Sequence, residues 1–130
     1  MSTTERRDAP RARAVGRARL RALECKGLPA GAELEATVQD ISSLAVGLDV
    51  DGPLAAGDRL HLEARFFGVE LDLEVTVASA RRPPGAPTTV AGCRFTDALS
   101  GEQRIAVERV VLARQAQDDL GLGARFALGA

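Results

Sequence analysis

Long apolar runs and closely spaced cysteines are both missing from this sequence. Its longest apolar stretches fall far short of the roughly 18 residues that a membrane-spanning helix needs, and its amino-terminal region is charged. We therefore expect no membrane segment and no signal peptide. Cys25 and Cys93 are far apart and form no CxxC pattern, so they offer no disulfide framework of the secreted kind. The sequence predicts reduced thiols in a cytoplasmic protein.

Large aromatic side chains and histidine are also scarce. The chain has four phenylalanines but no tyrosine or tryptophan, whereas small barrels that bind nucleic acids use aromatic stacking platforms. We therefore expect no nucleic-acid partner. The one histidine, His61, falls in the polar phase of a predicted strand with no nucleophile motif near it, which predicts a protein that is not an enzyme. No glycine-rich phosphate loop and no metal-ligand spacing is present, so we predict neither a cofactor nor a metal site.

Charge is balanced over the whole chain but not along it. Seventeen basic and eighteen acidic residues leave a formal net charge of −1. Residues 1–21 nevertheless contain seven arginines and only two acidic residues, Glu5 and Asp8. The amino-terminal segment is therefore expected to attract anions, although an arginine-rich terminus can also be no more than a soluble tail.

Apolar and polar residues alternate with period two over most of the chain, which is typical of half-buried strands. The pattern predicts six strands, which begin near Arg17, Leu34, Val46, Leu60, Val69 and Thr88. Turn-forming residues separate them, including Asp51-Gly52-Pro53, Gly68 and Arg82-Pro83-Pro84-Gly85. Six short antiparallel strands with one apolar face favour a closed barrel, because closure removes exposed strand edges. The predicted fold class is all-β with a small appended helix.

That helix is predicted from a change of period after Asp97. Ser100 and Gln103 match a helix-capping box. A broad apolar face follows, made by Ile105, Ala106, Val107, Val110, Val111 and Leu112. Because both sides of such a helix can be buried, the sequence leaves open whether the chain forms a homodimer. The predicted organisation is a flexible arginine-rich segment over 1–16, a barrel over 17–97, a helix over 98–119 and a loosely ordered tail over 120–130.

Two short motifs flank the first two predicted strands. Arg7 and Arg11 form an R-x-x-x-R pattern, and the segment from Asp40 through Ser42 to Ala45 follows D-x-S-x-x-G except at its last position. With the six strands, a G-x-x-F pattern at residues 92–95 and the terminal helix, the chain resembles the PilZ family over roughly residues 5–115. The resemblance implies a six-stranded antiparallel PilZ-like barrel in a bacterial receptor for the second messenger cyclic di-GMP.

The resemblance also implies a set of ligand-binding residues: Arg7, Arg11, Asp40, Ser42 and Ala45, with Arg6 as a possible addition. The chemistry fits, since an arginine fork donates to phosphate oxygens or to guanine O6 and N7. A carboxylate accepts from guanine amide and amino groups, and a serine hydroxyl donates or accepts. Asp40 and Ser42 could equally be turn residues that bond their own backbone.

Ala45 occupies the position of the family's glycine, which is used where the backbone needs positive φ or a close approach. Two functions therefore stay open. In the first, the chain binds cyclic di-GMP and signals to an unidentified effector protein through a change in its amino-terminal segment. In the second, it is a degenerate adaptor that binds no nucleotide and works through protein–protein interaction.

Overall fold

The computed structural model of the chain describes residues 14–129, with side chains described as far as residue 119. It contains six strands and one helix: β1 (Gly16–Glu24), β2 (Glu33–Ile41), β3 (Ala45–Val50), β4 (Arg59–Phe66), β5 (Val69–Arg81), β6 (Thr89–Phe95) and α1 (Gly101–Gly129). The predicted fold class is confirmed, because the strands form a closed antiparallel barrel that is followed by one helix.

The order of strands around the barrel is β1-β2-β3-β6-β5-β4, and every neighbouring pair is antiparallel. Strand alternation decides which residues enter the core. In β1, Ala18, Leu20 and Ala22 are buried while the arginines between them are exposed. Two pairings, β1 with β4 and β3 with β6, join strands that are not consecutive in sequence, and they close the barrel so that no long edge is left.

The hairpin between β4 and β5 turns through two residues. Phe66 pairs with Val69, and the residues between them, Phe67 and Gly68, have φ values of 54° and 78°. Two successive positive φ values are the mark of a type I′ turn, whose twist matches that of the strands it joins. The turn predicted near Gly68 is confirmed, and it requires Phe67 to adopt a conformation that non-glycine residues rarely take.

The start of α1 is fixed by the predicted capping box. The backbone N–H of Gln103 donates to the Ser100 hydroxyl at 3.1 Å, and the backbone N–H of Ser100 donates to Gln103 Oε1 at 2.8 Å. The side-chain amide of Gln103 also donates to the carbonyl of Asp72 on β5 at 2.8 Å. One glutamine therefore both caps the helix and ties it to the barrel wall.

The helix packs against the barrel with a narrower face than the sequence predicted. Val107 and Val110 are buried in the barrel core, with exposed fractions of 1% and 0%. Ile105 and Leu112 are 61% and 62% exposed. At 3.6 residues per turn, side chains three and four positions apart share a face, so Ile105 and Leu112 fall on the side away from Val107 and Val110.

The helix also runs further than predicted. It continues to Gly129, through residues 120–129 that were expected to form a loose tail. The segment has no proline, and each of its glycines lowers helix propensity by only about 1 kcal/mol, which is less than proline would cost. Of the predicted flexible segment 1–16, residues 1–13 lie outside the described residues. No helix within the described part of the chain combines the length and apolar character needed to cross a membrane.

Candidate functional site

Asp40 lies on the outer face of the barrel because of a β-bulge. Val38 pairs with Leu48 and Asp40 pairs with Gly47, so Gln39 is an extra residue on β2 between the two pairs. Without the bulge, alternation from the buried Val38 would turn Asp40 into the core. The extra residue reverses the phase of the strand, and the Asp40 carboxylate is exposed instead.

Two paired glycines lie next to Asp40. Gly47 on β3 is directly opposite Gly92 on β6, so neither strand carries a side chain at this point. A Cβ added to Gly47 would lie 2.7 Å from Asp40 Oδ1, and one added to Gly92 would lie 3.2 Å from Ser79 Oγ. The Asp40 carboxylate thus rests over the glycine of the neighbouring strand.

Ser42 shapes the turn that joins β2 to β3. Its backbone N–H donates to the carbonyl of Ala45 at 2.9 Å. Its hydroxyl oxygen accepts from the N–H groups of Leu44 and Ala45, at 3.3 Å and 3.2 Å. These local contacts support the interpretation of Ser42 as a turn residue. A direct contact between Ser42 and a ligand stays a prediction.

Ala45 begins β3 opposite Arg94 of β6. Among residues 14–129 the non-glycine residue with positive φ is Phe67, not Ala45. The backbone at Ala45 therefore has no need of glycine's conformational freedom. A steric contact arises instead at Gly47, two positions later, where an added Cβ would require the Asp40 carboxylate to move.

Two further residues border this surface, and the sequence did not single them out. Arg94 is exposed, and no acidic side chain among residues 14–119 pairs with it. Leu44 is 77% exposed at the tip of the turn, and its carbonyl accepts from the N–H of Phe95 at 3.0 Å. The G-x-x-F pattern at residues 92–95 drew attention to the strand that contains Arg94. Only the pairing of β3 with β6 shows that Arg94 lies beside Ala45. We call Asp40, Leu44, Ala45, Gly47, Gly92 and Arg94 the motif face.

The first described residues join the barrel beside the same part of β2. The N–H of Val15 donates to the carbonyl of Val38 at 2.8 Å, and Gly16 pairs with Val38. Because the strands are antiparallel, the start of β1 lies near the Asp40 end of β2. The predicted ligand residues Arg6, Arg7 and Arg11 lie outside the described residues. Of the predicted ligand-binding residues, Asp40, Ser42 and Ala45 lie together around the β2–β3 turn.

An open groove of about 520 Å³ lies elsewhere, along β1, β4 and β5. Its rim carries charges of both signs, and most of them are paired: Arg17 with Glu35 at 3.5 Å and Arg65 with Glu70 at 3.1 Å. The groove contains none of the motif residues. The groove is not an anion site, because its acidic side chains neutralise its arginines.

Neither cysteine has the properties of an activated nucleophile. Burial raises the pKa of the Cys93 thiol to about 12. Burial, together with the nearby Asp58 carboxylate, raises the pKa of Cys25. The thiolate is the reactive form of cysteine, so both changes lower reactivity.

Together, the fold and the motif face define a small antiparallel barrel with an exposed carboxylate and an exposed arginine on one surface. A family model of the PilZ domain matches residues 5–113, so the chain belongs to the PilZ domain family. That range includes both motifs and all six strands. Domains of this family are typically non-catalytic receptors, and the family is one of cyclic di-GMP-binding adaptors. A comparison with curated proteins gave no match.

Proposed function

We propose that this chain is a receptor for cyclic di-GMP that passes the signal to a partner protein. The observation that carries the proposal is the motif face: an exposed carboxylate, a pair of facing glycines, and an arginine without an acidic partner in residues 14–119, on adjacent strands. The amino-terminal segment with Arg7 and Arg11 joins the barrel beside it. These are complementary groups for a ligand with two phosphates and two guanines.

Each group has a specific task in this proposal. Arg7, Arg11 and Arg94 supply guanidinium forks that donate in pairs to phosphate oxygens or to guanine O6 and N7. Asp40 accepts from the N–H groups on the guanine Watson–Crick edge. The exposed Leu44 offers apolar contact to the guanine ring. Ser42 acts by holding the turn that positions these groups.

Ligand binding is coupled to signalling through the amino-terminal segment. Residues 1–11 contain almost no apolar side chains with which to dock on the barrel by themselves. The bound phosphates would hold Arg7 and Arg11 against the motif face and thereby change the surface that the partner protein contacts. An effector protein therefore distinguishes the free receptor from the bound one by this segment.

Hydrogen exchange tests this coupling directly. We expect the backbone amides of residues 1–11 to exchange more slowly when the protein is saturated with cyclic di-GMP, because arginine–phosphate bonds hold the segment. Amides near Arg59 at the start of β4 serve as the internal control, because this end of β4 pairs with Glu24 at the end of β1, far along the strand from Gly16. Equal exchange of residues 1–11 with and without ligand would contradict the closing of this segment.

A degenerate adaptor that binds no nucleotide is the second candidate. Two observations favour it: Ala45 stands in the position of the family's glycine, and Ile105 and Leu112 expose apolar surface on the outer side of α1. Those two side chains are seven positions apart and so lie on one stripe of the helix. Such a stripe suits contact with a protein.

A pair of variants separates the roles of Gly47 and Ala45. In Gly47→Ala the new methyl displaces the Asp40 carboxylate, so we expect cyclic di-GMP affinity to fall about tenfold, as loss of one charge-assisted hydrogen bond predicts. The reverse change at the motif position, Ala45→Gly, is the matched control. Its affinity should stay within about threefold of wild type, because the Ala45 backbone is already an ordinary strand conformation.

Isothermal titration of both variants, with thermal melting as a check on folding, gives the comparison. Unchanged affinity in Gly47→Ala would remove Asp40 from the ligand site as described. A loss of affinity in Ala45→Gly would show that the alanine methyl itself contacts the ligand.

A further inference from the structure

Three metal-ligating side chains meet on the wall of the barrel away from the motif face. They are His61 and Glu63 on β4 and Asp72 on β5. One ligand atom from each lies within 4.8 Å of the others. No metal-ligand spacing is visible in the sequence, because the third residue, Asp72, comes from the neighbouring strand, eleven residues after His61.

Strand geometry explains why these residues converge. His61 and Glu63 are two positions apart, so both side chains leave the same face of β4. Asp72 is directly opposite Glu63 in the β4–β5 pair. His61 Nε2 contacts Asp72 Oδ1. An imidazole and two carboxylates therefore form a triangle on a rigid two-stranded platform.

The ion pairs around the triangle leave Glu63 and Asp72 as two neighbouring carboxylates that no arginine side chain in the described part of the chain contacts. The other carboxylates on this wall have arginine partners: Glu70 with Arg65, Glu74 with Arg59 and Glu35 with Arg17 and Arg19. Glu63 and Asp72 have none among residues 14–119, although they face each other directly. Like charges in directly opposed positions destabilise an antiparallel pair unless a cation lies between them.

The site is also accessible. Glu63 and Asp72 line the open groove of about 520 Å³, and the side chain of His61 is 22% exposed. A hydrated ion can therefore reach the ligand atoms without any movement of the backbone. On β1, Arg21 and Arg19 pair with His61 and Glu63, and the two carboxylates offset this positive charge.

We propose that His61, Glu63 and Asp72 bind a divalent transition-metal ion of the Zn²⁺ class. One imidazole nitrogen and two carboxylate oxygens suit Zn²⁺ and related borderline ions, whereas Mg²⁺ and Ca²⁺ prefer oxygen ligands alone. Three protein ligands leave the remaining positions to water or to a group from a partner. The ion clamps β4 to β5 next to Asp72, whose carbonyl anchors Gln103 and the start of α1.

The presence of a single histidine makes the test unambiguous. The full chain is titrated with ZnCl₂ by calorimetry and, in parallel, the His61 ring resonances are followed by NMR. We expect saturable uptake of one equivalent with a shift of those resonances, and an increase in melting temperature with added Zn²⁺. A flat titration, or uptake that leaves the His61 resonances unchanged, would overturn the proposal.

Matched variants assign the ligands. His61→Ala and Asp72→Asn should each weaken Zn²⁺ binding by about tenfold or more, the scale on which metal sites respond to lost coordinating partners. Glu70 is a carboxylate on the same strand as Asp72, and it pairs with Arg65. The Glu70→Gln variant should therefore bind Zn²⁺ as wild type does. Cys25→Ser should also bind normally. Wild-type affinity in both His61→Ala and Asp72→Asn, with circular dichroism showing an intact fold, would refute the site.

Discussion

Replacement of Arg7 or Arg11 by alanine is expected to weaken cyclic di-GMP binding by about ten- to a hundredfold, with little change in melting temperature. Each guanidinium donates charge-assisted hydrogen bonds worth roughly 1.5–3 kcal/mol, which corresponds to that range of affinity. The barrel should be unaffected, because the fully buried core residues of the described range 14–119 begin at Ala18 in β1 and lie in the strands and α1.

Arg13→Ala is the matched control for both variants. Arg13 belongs to the same arginine-rich segment and carries the same charge, but it lies outside the Arg7–Arg11 pair, and the arginine four positions after it, Arg17, is already in β1. We expect it to lower affinity by less than about threefold, the effect of one more distant charge. An equal loss in all three variants would mean that the segment attracts the ligand only through its net charge. A lower melting temperature without weaker binding would make Arg7 and Arg11 structural.

The largest expected effect on stability is at Asp58. This carboxylate is 1% exposed, and it accepts from the backbone N–H of Lys26 at 3.1 Å and from that of Ala55 at 2.9 Å. Asp58 thus joins the loop after β1 to the turn that precedes β4. Removing it leaves two donors without partners, and each unsatisfied buried group costs about 1–3 kcal/mol.

We therefore expect Asp58→Ala to lower the free energy of unfolding by about 3 kcal/mol, a large share of the stability of a small domain. Denaturant unfolding measures this loss. Asp58→Asn keeps one carbonyl oxygen and should lie between alanine and wild type. Asp49→Ala removes a half-buried strand carboxylate bonded to the Gln39 amide, and it should cost less than about 1 kcal/mol. A similarly small loss in Asp58→Ala would contradict this account of the turn.

Strand alternation and helix capping were sufficient to predict most of the fold. Alternation in β1, β4 and β5 is regular because each strand has one face in the core, so the buried positions could be identified without coordinates. The Ser100 and Gln103 pair likewise formed as predicted, since a capping box depends on residues only three apart. Such local rules do not need knowledge of which strands are neighbours.

The candidate site was less predictable because it depends on non-local pairing. Asp40 would have pointed inward by simple alternation, and only the bulge at Gln39 turns it outward. Arg94 became part of the motif face through the pairing of β3 with β6, strands separated by two others in sequence. His61 was expected to be merely exposed, but the register of β4 against β5 brings it into contact with Asp72. No period in the sequence encodes these registers.

Calorimetric titration of the wild-type chain with cyclic di-GMP tests the central claim most directly. GMP, which carries a guanine and a single phosphate, is the control ligand. A receptor built around the motif face and the two arginines of the amino-terminal motif predicts saturable heat at micromolar or tighter affinity, with much weaker binding of GMP. A flat titration with cyclic di-GMP would contradict that claim and support the adaptor that binds no nucleotide.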